Sequence, residues 1–129
     1  MSKWVHADVL DFGINRIKTE CDKVMLIGAY TPGDSYATVT TTPLAEVTGL
    51  VDADFTLGSS GNNRTLTFAS GKQDASANNS GGGATMHIAF LDTVNSKVLW
   101  VTEETSDQAI VAGNPVTFPA LVYTSNQPT

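Results

Sequence analysis

Cysteine is nearly absent: Cys21 stands alone in 129 residues. A single thiol excludes an intramolecular disulfide and any cysteine metal cluster, and folding in a reducing cytoplasm fits it. Basic charge is scarce too, with seven Lys and Arg against thirteen Asp and Glu and a net charge of −6. No Lys/Arg cluster occurs beyond Arg16, Lys18 and Lys23. Phosphate backbones need a basic patch, so nucleic acid is not an expected partner. No apolar run reaches the roughly 18 residues of a membrane span. The opening MSKWVHADVLDF has no apolar core of a secretory signal, so neither membrane nor secretion is expected. Asn63-Arg64-Thr65 and Asn78-Asn79-Ser80 match the glycosylation tripeptide but carry no weight without such a signal.

Catalytic groups are equally sparse. His6 and His87 are the only imidazoles, and nothing in the sequence sets a nucleophile and an orienting acid beside either. There is no G-x-S-x-G elbow, and Gly81-Gly82-Gly83 lacks the lysine and the strand-to-helix setting of a phosphate loop. Asp52 and Asp54 fall on one face of an expected strand. Calcium draws six or more oxygens, so a solvated acidic face is the preferred reading. No catalytic, cofactor-binding or metal-binding residue is therefore assigned, and the chain is read as non-enzymatic.

What the sequence has is strand pattern. Residues 84–104, ATMHIAFLDTVNSKVLWVTEE, read as two strands joined at Thr93-Val94-Asn95-Ser96. Met86, Ile88 and Phe90 alternate with Thr85, His87, Ala89 and Leu91; Val98, Trp100 and Thr102 alternate with Lys97, Leu99 and Val101. Upstream, residues 7–22 predict a helix, with Leu10, Ile14, Ile17 and Cys21 on one stripe, Asp8 as N-cap and Asp11 behind it. Gly13 would weaken that helix by about 1 kcal/mol relative to Ala. Residues 23–30 read as a central strand and 31–34 as a turn. Thr-rich 36–42 reads as an edge strand or extended loop, 43–49 as a helical turn or short strand, and 50–57 as a strand. A Gly/Asn turn at 58–63 leads to a strand at 64–70. The polar 71–83 stretch is an expected mobile loop. Residues 116–124 form a closing strand that Pro119 confines to an edge or a bulge, and 125–129 form a tail.

Six or seven short strands predict a mainly β fold: a single-domain β-sandwich or partly closed barrel over 1–129, with one N-terminal amphipathic helix. Residues 1–6 form an arm. Trp4 is an efficient anchor for a partner surface, so Trp4, Val5 and His6 are the candidate partner-binding residues. Trp100 is expected in the core, and Cys21 is expected as a small buried hydrophobe.

Several segments together resemble a known family. They are the Asp8-Val9-Leu10-Asp11 helix with Ile14 and Ile17, the Val24-Met25-Leu26-Ile27 strand, Asp54-Phe55-Thr56, Leu66-Thr67-Phe68-Ala69, the 84–104 hairpin and Gly113-Asn114-Pro115-Val116-Thr117-Phe118-Pro119-Ala120. The pattern, spanning about residues 4–124, resembles small virion structural proteins of tailed bacteriophages. The resemblance implies a capsid decoration (cement) protein on the virion surface, assembled in the host cytoplasm. Its implied partners are the major capsid protein and further copies of itself, as a dimer or trimer. A tail, baseplate or fibre-associated structural or receptor-binding module is the alternative, and a small hydrolase or lyase a more distant one. The family pattern carries no functional residues, so none is transferred.

Overall fold

Residues 85–104 fold as the expected hairpin. In the computed structural model, which describes residues 4–5, 13–41, 43–83, 85–104 and 109–126, strand β7 (His87–Asp92) pairs antiparallel with β8 (Lys97–Glu103). Asp92 organises the turn: its carboxylate accepts the N–H groups of Val94 and Asn95 at 3.1 Å and the Asn95 amide at 2.8 Å. The alternation along β8 departs from the expected one. Phe90 faces Trp100 but Leu91 faces Val98, so Leu99 is an extra residue in a bulge. A bulge shifts the strand's phase by one. Leu99 and Trp100 therefore both enter one hydrophobic cluster, while Val98 and Val101 enter another.

Around this hairpin lies a five-stranded antiparallel sheet in the order β1-β8-β7-β2-β3. Strand β2 (Lys23–Ile27) is apolar on both faces and sits inside the sheet. Strand β3 (Pro43–Thr48) settles the open reading of 43–49, and β1 (Trp4–Val5) is an edge strand laid on Trp100 and Val101. A second, three-stranded sheet has the order β10-β5-β4, from β4 (Phe55–Ser60), β5 (Asn63–Phe68) and β10 (Leu121–Ser125). Gly61, at φ +60°, turns β4 into β5, a conformation open to glycine at no steric penalty.

The two sheets pack face to face through aromatic rings. Phe55 and Phe68 meet Phe90 at centroid distances of 6.1 and 5.1 Å. Trp100 stacks on Phe90 at 4.5 Å and meets Tyr123 at 5.5 Å. No sheet closes into a barrel among the described residues, so the fold is mainly β and sandwich-like. The five-stranded sheet is buried on both faces. Its other face carries Met25, Ile27, Ala89, Leu91, Val98 and Val101 beneath Tyr30 and Val39.

Several elements differ from expectation. No unbroken helix spans residues 7–22: α1 runs Asn15–Glu20, and Gly13 has φ +74°, which no right-handed helix accommodates. Ile14, Ile17 and Cys21 are buried as the stripe requires, while Asp8, Leu10 and Asp11 lie outside the described residues. Tyr36–Val39 is a helical turn, α2, rather than a strand. Ser35 caps it, its hydroxyl accepting the Thr38 N–H at 3.1 Å, and an N-cap outweighs the modest strand preference of threonine. Asp52–Asp54 forms a 3-10 turn before β4, so Asp52 and Asp54 do not share a strand face.

Within 71–83, expected as a mobile loop, β6 (Gln73–Asp74) pairs with β9 (Val116–Thr117), and Ala77 is buried. Gly81 bridges Ile110 by two backbone hydrogen bonds of 2.7 and 2.9 Å. The backbone is thus tied at both ends although the side chains are polar. The closing strand is split at Phe118-Pro119-Ala120, where proline has no N–H to donate.

Candidate functional site

Two residues of the expected contact arm, Trp4 and Val5, are part of the sheet. Trp4 is half-buried against the second cluster, and Val5 pairs with Trp100 along β1. His6 lies outside the described residues. Trp4 is therefore held by its own domain, and Trp100 is in the core as expected.

His87 is buried on β7. Its Nδ1 lies 2.7 Å from the Thr85 carbonyl, which only accepts, so Nδ1 carries the proton. Its Nε2 is buried and has no hydrogen-bond partner among the described residues. The Tyr30 ring packs beside it at 5.8 Å.

Of the acidic pair, Asp54 is a structural tie while the Asp52 side chain is exposed as expected. Asp54 is buried; its Oδ2 accepts the Val51 N–H at 2.9 Å and its Oδ1 is bonded to Lys72 Nζ. Burial by itself would raise the Asp54 pKa, but the Lys72 ammonium and the Val51 N–H outweigh it and hold the carboxyl below its usual range. Asp52 is exposed, and its carbonyl receives Lys18 Nζ at 2.6 Å. No group of three or more metal-ligating side chains occurs among the described residues. Burial pushes the Cys21 thiol up to about 12, where it is an inert core side chain.

What the fold assembles, and the sequence did not reveal, is a pair of clefts that share Asp34 in their lining. The larger, of about 700 Å³, lies between the 27–31 backbone and the 79–82 loop, with Asp34 and Thr38 on its rim. The smaller, of about 330 Å³, is flanked by Trp4, Tyr36 and Lys97 and also reaches Asp34. Asp34 thus belongs to both. Its Oδ2 accepts the Thr31 N–H at 3.0 Å, and its own N–H bonds the Thr31 carbonyl at 2.9 Å, so the 31–34 turn holds this carboxylate in place. Trp4 and Tyr36 are 32 positions apart in the chain, so no local motif signals their meeting.

A second surface lies on the three-stranded sheet. The strand register places Thr56, Thr67 and Val122 in one row and Gly58, Thr65 and Thr124 in the next, on the outward face of the three-stranded sheet. Phe55, Leu66 and Phe68 point inward. Arg64 is the sole charged residue on these three strands, and Val122 is 56% exposed. Comparison with known proteins found no matching family model, no matching curated protein and no matching solved structure.

Proposed function

We propose that this protein is a non-enzymatic virion structural protein of a tailed phage that binds the capsid exterior and stabilises it. The resemblance of the strand and turn pattern supports this reading. The structural observation that carries it is the uncharged, threonine-lined outer face of the three-stranded sheet, with Val122 exposed on its edge strand β10. A surface of this composition is unusual on a chain of net charge −6, because charged residues are depleted where interfaces are fully buried.

In this reading the sheet face, rather than the Trp4-Val5-His6 arm, is the main contact with the major capsid protein, since Trp4 packs on its own domain. Each copy binds weakly, and a dimer or trimer gains through effective concentration. The test is binding of purified protein to capsids that lack it, with and without Val122→Asp. An unpaired carboxylate forced into an apolar contact costs several kcal/mol. Affinity for the capsid should therefore fall about tenfold for each 1.4 kcal/mol lost, with thermal stability unchanged. Equal binding by the variant rejects the sheet face as the contact, and no binding by the wild type rejects the capsid reading.

A tail, baseplate or fibre-associated receptor-binding role is the second reading. The aromatic-flanked clefts favour it, and localisation in the virion separates the two.

A further inference from the structure

We infer that the two clefts meeting at Asp34 form one binding groove for a neutral oligosaccharide. The inference goes beyond the virion role and holds for a protein on the head or on the tail.

The chemistry of the lining points to this class of ligand. Among the described residues lining both clefts, Asp34 and Lys97 are the only charged side chains, and they are of opposite sign. The remaining polar groups are hydroxyls and an amide, Thr31, Thr38 and Asn79 among them. A nucleotide or other polyanion would need several cations, and a lipid tail would need an unbroken apolar wall; the groove has neither. A sugar ring needs an aromatic surface for its C–H face and fixed polar groups for its hydroxyls. Trp4 and Tyr36 supply the partly exposed edges of two aromatic rings on the smaller cleft. Asp34 supplies the acceptor at the junction. With Oδ2 committed to the Thr31 N–H, Oδ1 is left to accept from a ligand hydroxyl, and a charge-assisted bond of that kind is among the stronger ones.

The groove is also preformed. On one wall the Ser35 cap and the Thr31–Asp34 bonds fix the backbone. On the other, Gly81 is tied to Ile110, and a Cβ at Gly81 would sit 2.7 Å from Leu44 Cδ2. Walls that need no ordering on binding spare a weak ligand the entropy of arranging them. Cleft volumes of about 700 and 330 Å³ fall within the usual size of small-molecule sites, roughly 300–1,000 Å³, and their adjacency suits a chain of sugars rather than one compact ligand. Thr56, Thr67 and Val122 line neither cleft, so docking through that face shares no residue with the groove.

The experiment is an amide and indole NMR titration of the full chain, free of capsid, with neutral hexasaccharides of glucose, galactose, mannose and N-acetylglucosamine. At least one should bind with a Kd near the millimolar level, about −4 kcal/mol. It should shift Asp34, Tyr36, Thr38 and Gly82 and the Trp4 indole N–H, while the core Trp100 indole stays put. Asp34→Asn keeps an acceptor for Thr31 and Tyr36→Leu keeps the apolar packing. Each should weaken binding about fivefold or more in a protein with a wild-type melting temperature. The inference is overturned if no hexasaccharide perturbs these signals at about ten times that concentration, or if both variants bind like wild type. Tighter binding of an acidic saccharide or an extended peptide overturns it as well. Because no capsid is present, failure here leaves the capsid reading standing, and the reverse holds too.

Discussion

Single carboxylates fasten this fold at places where the backbone changes course. Asp22 receives the Thr93 N–H at 2.9 Å and also the Thr93 hydroxyl, tying the start of β2 to the central hairpin turn. Asp92 closes that turn from inside. Asp54 joins the 3-10 turn to Lys72, and here the sign of a pH effect follows from the structure. Its folded pKa is lowered because the Lys72 and Val51 bonds outweigh burial. A depressed carboxyl stabilises the fold fully above the ordinary carboxylate range, and that stabilisation is lost as pH falls through the folded value. Lys72→Met keeps most of the aliphatic stem and removes the ammonium. It should lower stability at neutral pH by about 1.5–3 kcal/mol, the worth of a hydrogen bond to a charged group. Urea unfolding across pH checks this: the gap between wild type and variant should narrow as pH falls below the ordinary carboxylate range and close once Asp54 is protonated in both. A gap that persists unchanged in acid would mean that Lys72 acts through packing alone.

At the scale of elements, Gly13 separates two accounts of the N-terminal segment by the sign of one substitution. In a continuous helix from 7 to 22, Gly13→Ala would stabilise by about 1 kcal/mol. With φ at +74°, alanine meets a left-handed penalty of roughly 1–2 kcal/mol, and Gly13→Ala should lower the denaturation midpoint although nothing crowds the site. The sequence concealed this because Leu10, Ile14, Ile17 and Cys21 keep helical spacing straight through the glycine. The hairpin was legible because Met86, Ile88 and Phe90 alternate with nothing to interrupt them. The Leu99 bulge was not, since an extra residue in an all-apolar strand leaves the composition of both faces unchanged. Tyr36–Val39 was concealed by its threonines, whose strand preference the Ser35 cap overrides. For the candidate site, Trp4 stood out by residue type alone. Its neighbours Tyr36, Asp34 and Lys97 did not, because only the pairing of β1 with β8 and the fold of the 28–41 segment bring them together.

For the whole molecule, the order of layers joins stability to function. The five-stranded sheet is the middle layer, with one cluster facing the three-stranded sheet and the other facing α2 and the grooved side. Alternate residues of the same strands feed both clusters: Val24 and Leu26 against Met25 and Ile27 on β2, Ile88 and Phe90 against Ala89 and Leu91 on β7. Neither cluster can come apart while the other keeps its strands paired, so the domain should unfold as one unit. Truncation on either side tests this. Phe68→Ala, in the first cluster, should cost about 3–5 kcal/mol, and Met25→Ala, in the second, about 2–5 kcal/mol. Each should lower a single melting transition in which circular dichroism and tryptophan fluorescence coincide. A Met25→Ala protein that loses Trp4 fluorescence change in a separate, earlier step would show that the grooved side is an independent lid. In that case the groove would be shaped by its ligand rather than waiting for it. Coincident transitions instead mean that the same sheet rigidifies the outer threonine face and the groove, and that a load taken on one side is borne by the packing beneath the other.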